Sequence, residues 1–386
     1  MTRSNPFCRR SLLALAAVAA LAGTSLAQAQ AIKIANILEL SGAGATAGTN
    51  FKNGVELAVK EINAAGGILG KQIETTTLDT QSNPGVAKGL TQKAVDDGVF
   101  AVFGPVFSGS IMVSMAETKR AEVPNFTGGE AAAITKQGNP YIFRTSFTQD
   151  TAMPKVARYI ANGVKAKTVA VMFVNNDFGK GGRDAVTKAL EASGVKVVAD
   201  ISTDSGQVDF SAPVLKAKQS NADALFVYTN EEESARALRE LRKQGWTKPI
   251  VGETTLTGQK VIELAGEAAN GAVAHVGLTV DSPNPLMLKF KANFYQAYKY
   301  ISDHNGIKGY TGVYPMKAAI EKVGKLDKVA VAKALHGLSV SAAKVPGVIM
   351  DVSVDNNGDL DRESFMVQVK DGKQVVKEVL PALAKK

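Results

Sequence analysis

Short apolar runs alternate along this chain with segments whose apolar residues recur every three or four positions. Ile32–Leu38 (IKIANIL) is a run of the length and β-branched character that forms a buried strand. Phe51, Val55, Ala58 and Ile62 then recur at helical spacing, and Gly66-Gly67 ends that helix. Residues 72–78 alternate as a strand. Asn83-Pro84 supplies a cap and a first-turn proline for a helix with Val86, Leu90 and Ala94 on one face. Residues 100–103 and 123–126 predict two more strands, with a helix over 110–120 between them.

After Arg144-Thr145-Ser146 the alternation restarts. A helix is expected around 156–160, a buried strand at Thr168–Val174, a helix at 181–193 and a strand at 195–201. A helix at 210–219, a strand at Ala224–Tyr228, a helix at 232–245 and a strand at Ile250–Gly252 complete the series. Two successive strand–helix–strand series predict two parallel sheets, each covered by helices on both faces, and therefore an α/β fold. The last third differs. It reads as a strand at 272–278, helices at 286–300 and 312–325, and then strands at 348–352, 364–369 and 374–379. Asp355-Asn356-Asn357-Gly358 and Asp371-Gly372 are turn signals, the second of the hairpin kind. This tail is expected to cross back between the two domains.

The N-terminus changes the picture of where the protein works. Arg3, Arg9 and Arg10 precede an apolar run over 11–23, and Ser25-Leu26-Ala27-Gln28-Ala29 offers small residues at signal-peptidase spacing. Residues 1–29 therefore read as an export signal cleaved after Ala29, since the run is too short to span a bilayer. The single cysteine, Cys8, lies before the run, so the exported chain has no thiol and no lipid-anchor cysteine. That suits an oxidising compartment. The remaining length exceeds what one core usually holds. The net charge of +9 is spread without an aromatic-interleaved basic stripe, which argues against a nucleic-acid partner.

Candidate chemistry is sparse. The three histidines, His275, His304 and His336, are far apart in sequence, and no cysteine accompanies them, so no metal or cofactor is expected. No nucleophile elbow or phosphate loop occurs. Gly179-Lys180-Gly181-Gly182 reads as a tight turn, because a nucleotide fingerprint needs another glycine at the right offset. The segment from Asp355 to Asp359 imitates a calcium loop, but Ser364 stands where the closing Glu belongs, so a hairpin turn is expected. Glu231-Glu232-Glu233 follows a strand. It reads as acidic complement to a helix N-terminus, at the strand end where α/β sheets also bind ligands.

Several segments together resemble the periplasmic branched-chain amino acid binding proteins, the leucine/isoleucine/valine-binding type of ABC importers. They are Ile32–Leu38 with Ser41-Gly42, residues 53–58 (NGVELA), residues 61–70 (EINAAGGILG), Asp79-Thr80, Asp97-Gly98-Val99, Phe103-Gly104-Pro105, residues 176–181 (NDFGKG) and Asp209-Phe210-Ser211. The resemblance runs over essentially the whole exported chain. It implies a type I periplasmic-binding fold, with two doubly wound parallel-sheet domains and a hinge of three crossings. The expected division is 30–147 plus 278–356 for the N-terminal lobe, and 148–277 plus 357–386 for the C-terminal lobe.

The resemblance also implies a set of ligand residues. Ser108, between a strand and a helix, corresponds to a serine that helps hold the ligand carboxylate, and a hydroxyl at a helix N-terminus suits an anion. Gly128 and Gly129 offer bare backbone N–H groups. Glu130 departs from the pattern, because it falls where a serine or threonine is common; a carboxylate there would attract a cation. Phe178 matches an aromatic that closes on the ligand from the second lobe. Asn230, Glu253 and Thr254 follow the next two strands, with Glu253 the candidate for the ligand ammonium. Tyr310, with Tyr314, falls near a further aromatic wall, and Ala47 stands where some relatives have a tyrosine.

The function expected is a monomeric, non-enzymatic periplasmic receptor that closes on a small amino acid, of the branched-chain type, and delivers it to an ABC permease. A sensor of amides or organic acids on the same fold, and a secreted hydrolase, are the alternatives.

Overall fold

The computed structural model describes residues 31–382, and the expected export signal at 1–29 lies outside them. Five strands, β1 (Ile32–Leu38), β2 (Ile73–Asp79), β3 (Ala101–Phe103), β4 (Asn125–Thr127) and β5 (Ile142–Arg144), form an all-parallel sheet of order β2-β1-β3-β4-β5. The first helices are α1 (Ala45–Ala64), α2 (Pro84–Asp96) and α3 (Ser108–Arg120). Asn83 caps α2 as its sequence predicts, its side chain accepting from the N–H groups of Gly85 and Val86.

The second sheet takes β6 (Thr168–Val174), β7 (Lys196–Thr203), β8 (Ala224–Tyr228), β9 (Ile250–Gly252) and β10 (Val273–Val276) in parallel. Helices α4 (Gln149–Arg158), α5 (Asp177–Ala192), α6 (Ser211–Gln219), α7 (Glu231–Lys243), α8 (Thr254–Thr257) and α9 (Gln259–Ala265) accompany it. Its two faces are packed as separate apolar cores, one carrying Leu238, Leu241 and Val261, the other Met153, Val156 and Val186.

The final third returns to the first sheet before rejoining the second. Helices α10 (Pro285–Tyr298), α11 (His304–Val323) and α12 (Lys328–Leu335) share one core with β1, α1 and β5, and so do the strands β11 (Ser339–Val340), β12 (Val352–Val354) and β13 (Leu360–Asp361). Then β14 (Ser364–Lys370) adds antiparallel to β10, and β15 (Lys373–Leu380) pairs with β14. Asp371 and Gly372 both have positive φ, as a two-residue hairpin turn of the expected kind demands. The turn at 355–359 joins β12 to β13. β13 pairs with β12, and β14 is the next strand to join the second sheet.

The three passages meet at one side chain. Phe147 follows β5 on the first. The His275 ring lies edge-on to it, and a side chain at Gly277 on the second would come within 2.7 Å of its ring. The Arg362 guanidinium on the third lies over it at 5.7 Å.

Three local expectations need correction. The glycine-rich stretch 179–182 is not a turn but the first part of α5, capped by Asn176. A Cβ at Gly179 would lie 1.8 Å from the carbonyl oxygen of Val174, and one at Gly182 would lie 2.0 Å from the Tyr228 ring, so close packing selects these glycines. Residues 348–352 hold a 3-10 turn and the start of β12 instead of a full strand. Helix α11 begins at His304, eight residues before the expected 312.

Candidate functional site

Residues that follow β3, β4, β8 and β9 line one small cavity, at the strand ends where open α/β sheets bind ligands. Its walls include Ala47, Ser108, Gly128, Gly129 and Glu130 from the helix starts and loops beside the first sheet, and Phe178, Asn230 and Glu231 from those beside the second.

Ser108 is the first residue of α3 and fully buried, and its Oγ accepts the Ala131 N–H at 3.3 Å. The loop before it is fixed by the buried Glu39, whose carboxylate accepts the N–H groups of Val106 and Phe107 at 3.0 and 3.2 Å. The tight course of the Gly128-Gly129 strand end follows from its neighbours. A Cβ at Gly129 would lie 2.3 Å from Ile111, and one at Gly128 would lie 3.1 Å from the Phe51 ring.

Glu130 is buried, yet it is not available to a ligand cation in the way its sequence position suggests. Lys308 Nζ donates to its Oε1 at 2.7 Å, and the Tyr228 hydroxyl donates to its Oε2 at 3.0 Å. Burial raises its pKa to about 7, with Glu253 adding to the rise and Lys308 opposing it. Glu253 lies close enough behind it for its charge to add to that rise. The Glu253 carboxylate also accepts the Thr254 N–H and hydroxyl, and it faces His275 Nδ1 at 3.1 Å. Burial lowers the His275 pKa to about 3, so that contact is a neutral hydrogen bond.

Of the nine residues expected at the site, Ser108, Gly128, Gly129, Glu130, Phe178 and Asn230 line the cavity. Glu253 and Thr254 stand behind the lining, and Thr255 takes the wall position beside them. Tyr310 is elsewhere, donating its hydroxyl to Glu61 at 2.6 Å inside the first lobe. Phe178 stacks on Tyr228 with ring centroids 4.1 Å apart, which holds its ring at the cavity wall.

The sequence reading missed His304, Asn305 and Lys308, all on the first turns of α11. The available signal was Asp303, whose side chain accepts the N–H groups of Asn305 and Gly306 as a cap. The three glutamates opening α7 have separate partners. Glu231 Oε1 accepts Asn305 Nδ2 at 2.9 Å, Glu232 accepts the Thr46 hydroxyl, and Glu233 accepts the Asn230 and Gly206 N–H groups. The first two contacts join the second sheet's helix to elements of the first. Burial and the neighbouring Asp303 raise the Glu231 pKa to about 8, and burial raises that of Asp303 to about 6.

Two α/β lobes meeting over a polar, buried cavity define a two-lobed solute-receptor architecture. The chain belongs to the periplasmic binding protein family, whose model matches residues 31–374. It is 30% identical over 351 residues to a Leu/Ile/Val-binding protein of Rhizobium johnstonii, covering 90% of this chain and 94% of that one. It is 29% identical over 363 residues to a leucine-, isoleucine-, valine-, threonine- and alanine-binding protein of Pseudomonas aeruginosa, covering 92% and 94%. Among solved structures, the branched-chain amino acid transporter substrate binding protein of Streptococcus pneumoniae, in complex with isoleucine, superposes with a TM-score of 0.83 at 27% identity, covering 91% and 100%. A Rhodopseudomonas palustris solute binding protein in complex with benzoate shares the fold, with a TM-score of 0.84 at 21% identity, covering 92% and 98%. The chain is thus a periplasmic-type solute-binding protein of the class that serves ABC importers, and the type I fold is the expected one.

Proposed function

We propose that the chain is exported with cleavage after Ala29, works as a monomer in the periplasm, and captures a small branched-chain amino acid for an ABC permease. Residues 30–147 with 278–361 act as one lobe, and 148–277 with 362–386 as the other. The observation that carries this reading is the cavity wall: the α3 N-terminus with Ser108 offers donors to a carboxylate, and the opposite wall is acidic. A zwitterion satisfies both walls; a simple acid satisfies only one. Relatives named for leucine, isoleucine and valine lend weight to the branched-chain choice. Closure follows from the ligand's contacts with both lobes at once.

Thermal-shift measurements on the exported protein test the reading. Leucine, isoleucine or valine should raise the melting temperature, while the matching 2-keto acids and benzoate should not. Equal stabilisation by benzoate or the keto acids would assign the cavity to organic acids instead.

A further inference from the structure

Glu231, Asp303 and His304 each place a ligand atom within 4.8 Å of the others, and all three are buried. The group is built from both lobes, since Glu231 opens α7 while Asp303 and His304 open α11. Glu231 and His304 line the cavity wall. No lysine or arginine pairs with Glu231 or Asp303 among the described residues, whereas Glu130 in the same cavity is held by Lys308. His304 is 7% exposed. Its Nδ1 finds no hydrogen-bond partner among the described residues, and its Nε2 stands 3.6 Å from Glu231 Oε1, beyond hydrogen-bonding distance. Burial keeps this imidazole neutral, so it can present a lone pair. The nearest cation, Lys308, is bound to Glu130 and reaches Asp303 only through its field, so two carboxyls and a neutral imidazole converge with no basic side chain in contact with them.

We propose that Glu231, Asp303 and His304 form the cation subsite of the cavity, and that it takes the primary ammonium group of the solute. An ammonium has three N–H donors, and the group sets Glu231 and His304 at the cavity wall, with the charge of Asp303, which caps α11, beside them. The assignment rests on the amino-acid reading above and moves the ammonium contact from the expected Glu253 to Glu231. Glu253 does not line the cavity and is engaged by Thr254 and His275. It also links capture to closure, because the ammonium would bridge acceptors from both lobes.

The test uses calorimetry on the exported protein with leucine, 4-methyl-2-oxopentanoate, which lacks the ammonium, and 3-methylbutylammonium, which lacks the carboxylate. Zn2+ and Mn2+ are titrated in parallel. Glu231→Gln should weaken leucine binding by at least about tenfold, as loss of a charge-assisted hydrogen bond implies, and leave 4-methyl-2-oxopentanoate binding no weaker than the unmodified protein shows. His304→Gln gives the same comparison should Glu231→Gln fail to fold. Unchanged leucine affinity in a folded Glu231→Gln variant overturns the subsite while the amino-acid reading stands. If the unmodified protein binds 3-methylbutylammonium through Glu231 but not leucine, the subsite stands and the amino-acid reading falls. Binding of neither amine overturns both. Stabilisation by Zn2+ or Mn2+ that Glu231→Gln abolishes makes the group a metal site and overturns the ammonium assignment.

Discussion

At the scale of single residues, the site is a contest over who neutralises each buried charge. Glu130 shows how far sequence reading reaches. It stands out where small hydroxyl residues are expected, but its partner Lys308 is 178 positions away, and no local pattern announces that pairing. Ser108 is legible because a strand end and a helix start flank it. Ser108→Ala should weaken amino-acid binding about ten- to a hundredfold by removing a hydrogen bond to a charged group, with little change in the melting temperature of ligand-free protein. Competition calorimetry measures this, and a fall in stability without a fall in affinity would make Ser108 a packing residue. The acidic wall also sets a pH dependence. The Glu231 pKa is raised from 4.5 to about 8, so the folded protein holds its proton more tightly than the unfolded chain does. The stability this gives is fully present below the unfolded value and is lost as pH rises through about 8. Melting of ligand-free protein should therefore fall over that window, and Glu231→Gln, which cannot titrate, should flatten the fall.

At the scale of elements, strands were easier to read than the helices that carry the site. The runs Ile32–Leu38, Thr168–Val174, Ala224–Tyr228 and Ile250–Gly252 are buried strands with the expected bounds. The expected α5 starts late because 179–182 reads as a turn, and the expected α11 starts only at Gly312. In α11 the glycines serve contact with α1 instead. A Cβ at Gly309 would lie 2.1 Å from the Phe51 carbonyl oxygen, and one on Gly54 of α1 would lie 2.0 Å from the Gly306 carbonyl oxygen. Such packing is a property of two helices brought together and is not visible along either alone. Gly309→Ala should force the pair apart and destabilise the protein by about 1–3 kcal/mol, as overpacking does. Urea denaturation measures the loss. Ligand affinity should fall with it, because the same helix carries His304, Asn305 and Lys308 to the cavity.

At the scale of the whole molecule, two runs of alternating strand and helix made the two-sheet architecture legible, and the turn signals of the tail marked its change to hairpins. What stayed hidden was how the tail is shared. Apolar spacing assigns 286–300 and 312–325 to helices but not to a sheet, it gives no helix at Lys328–Leu335, and only the common core with α1 and β1 gives all three to the first lobe. The passages between lobes gather around Phe147, and the cavity lies where the lobes meet, so a solute held there would touch both. Native mass spectrometry of protein purified from the periplasm without refolding tests that account most directly. It should show a chain beginning at Gln30 carrying one non-covalently bound amino acid, replaceable by added leucine. A protein that stays bare in excess leucine, isoleucine and valine, or that carries a nitrogen-free acid in their place, would contradict it.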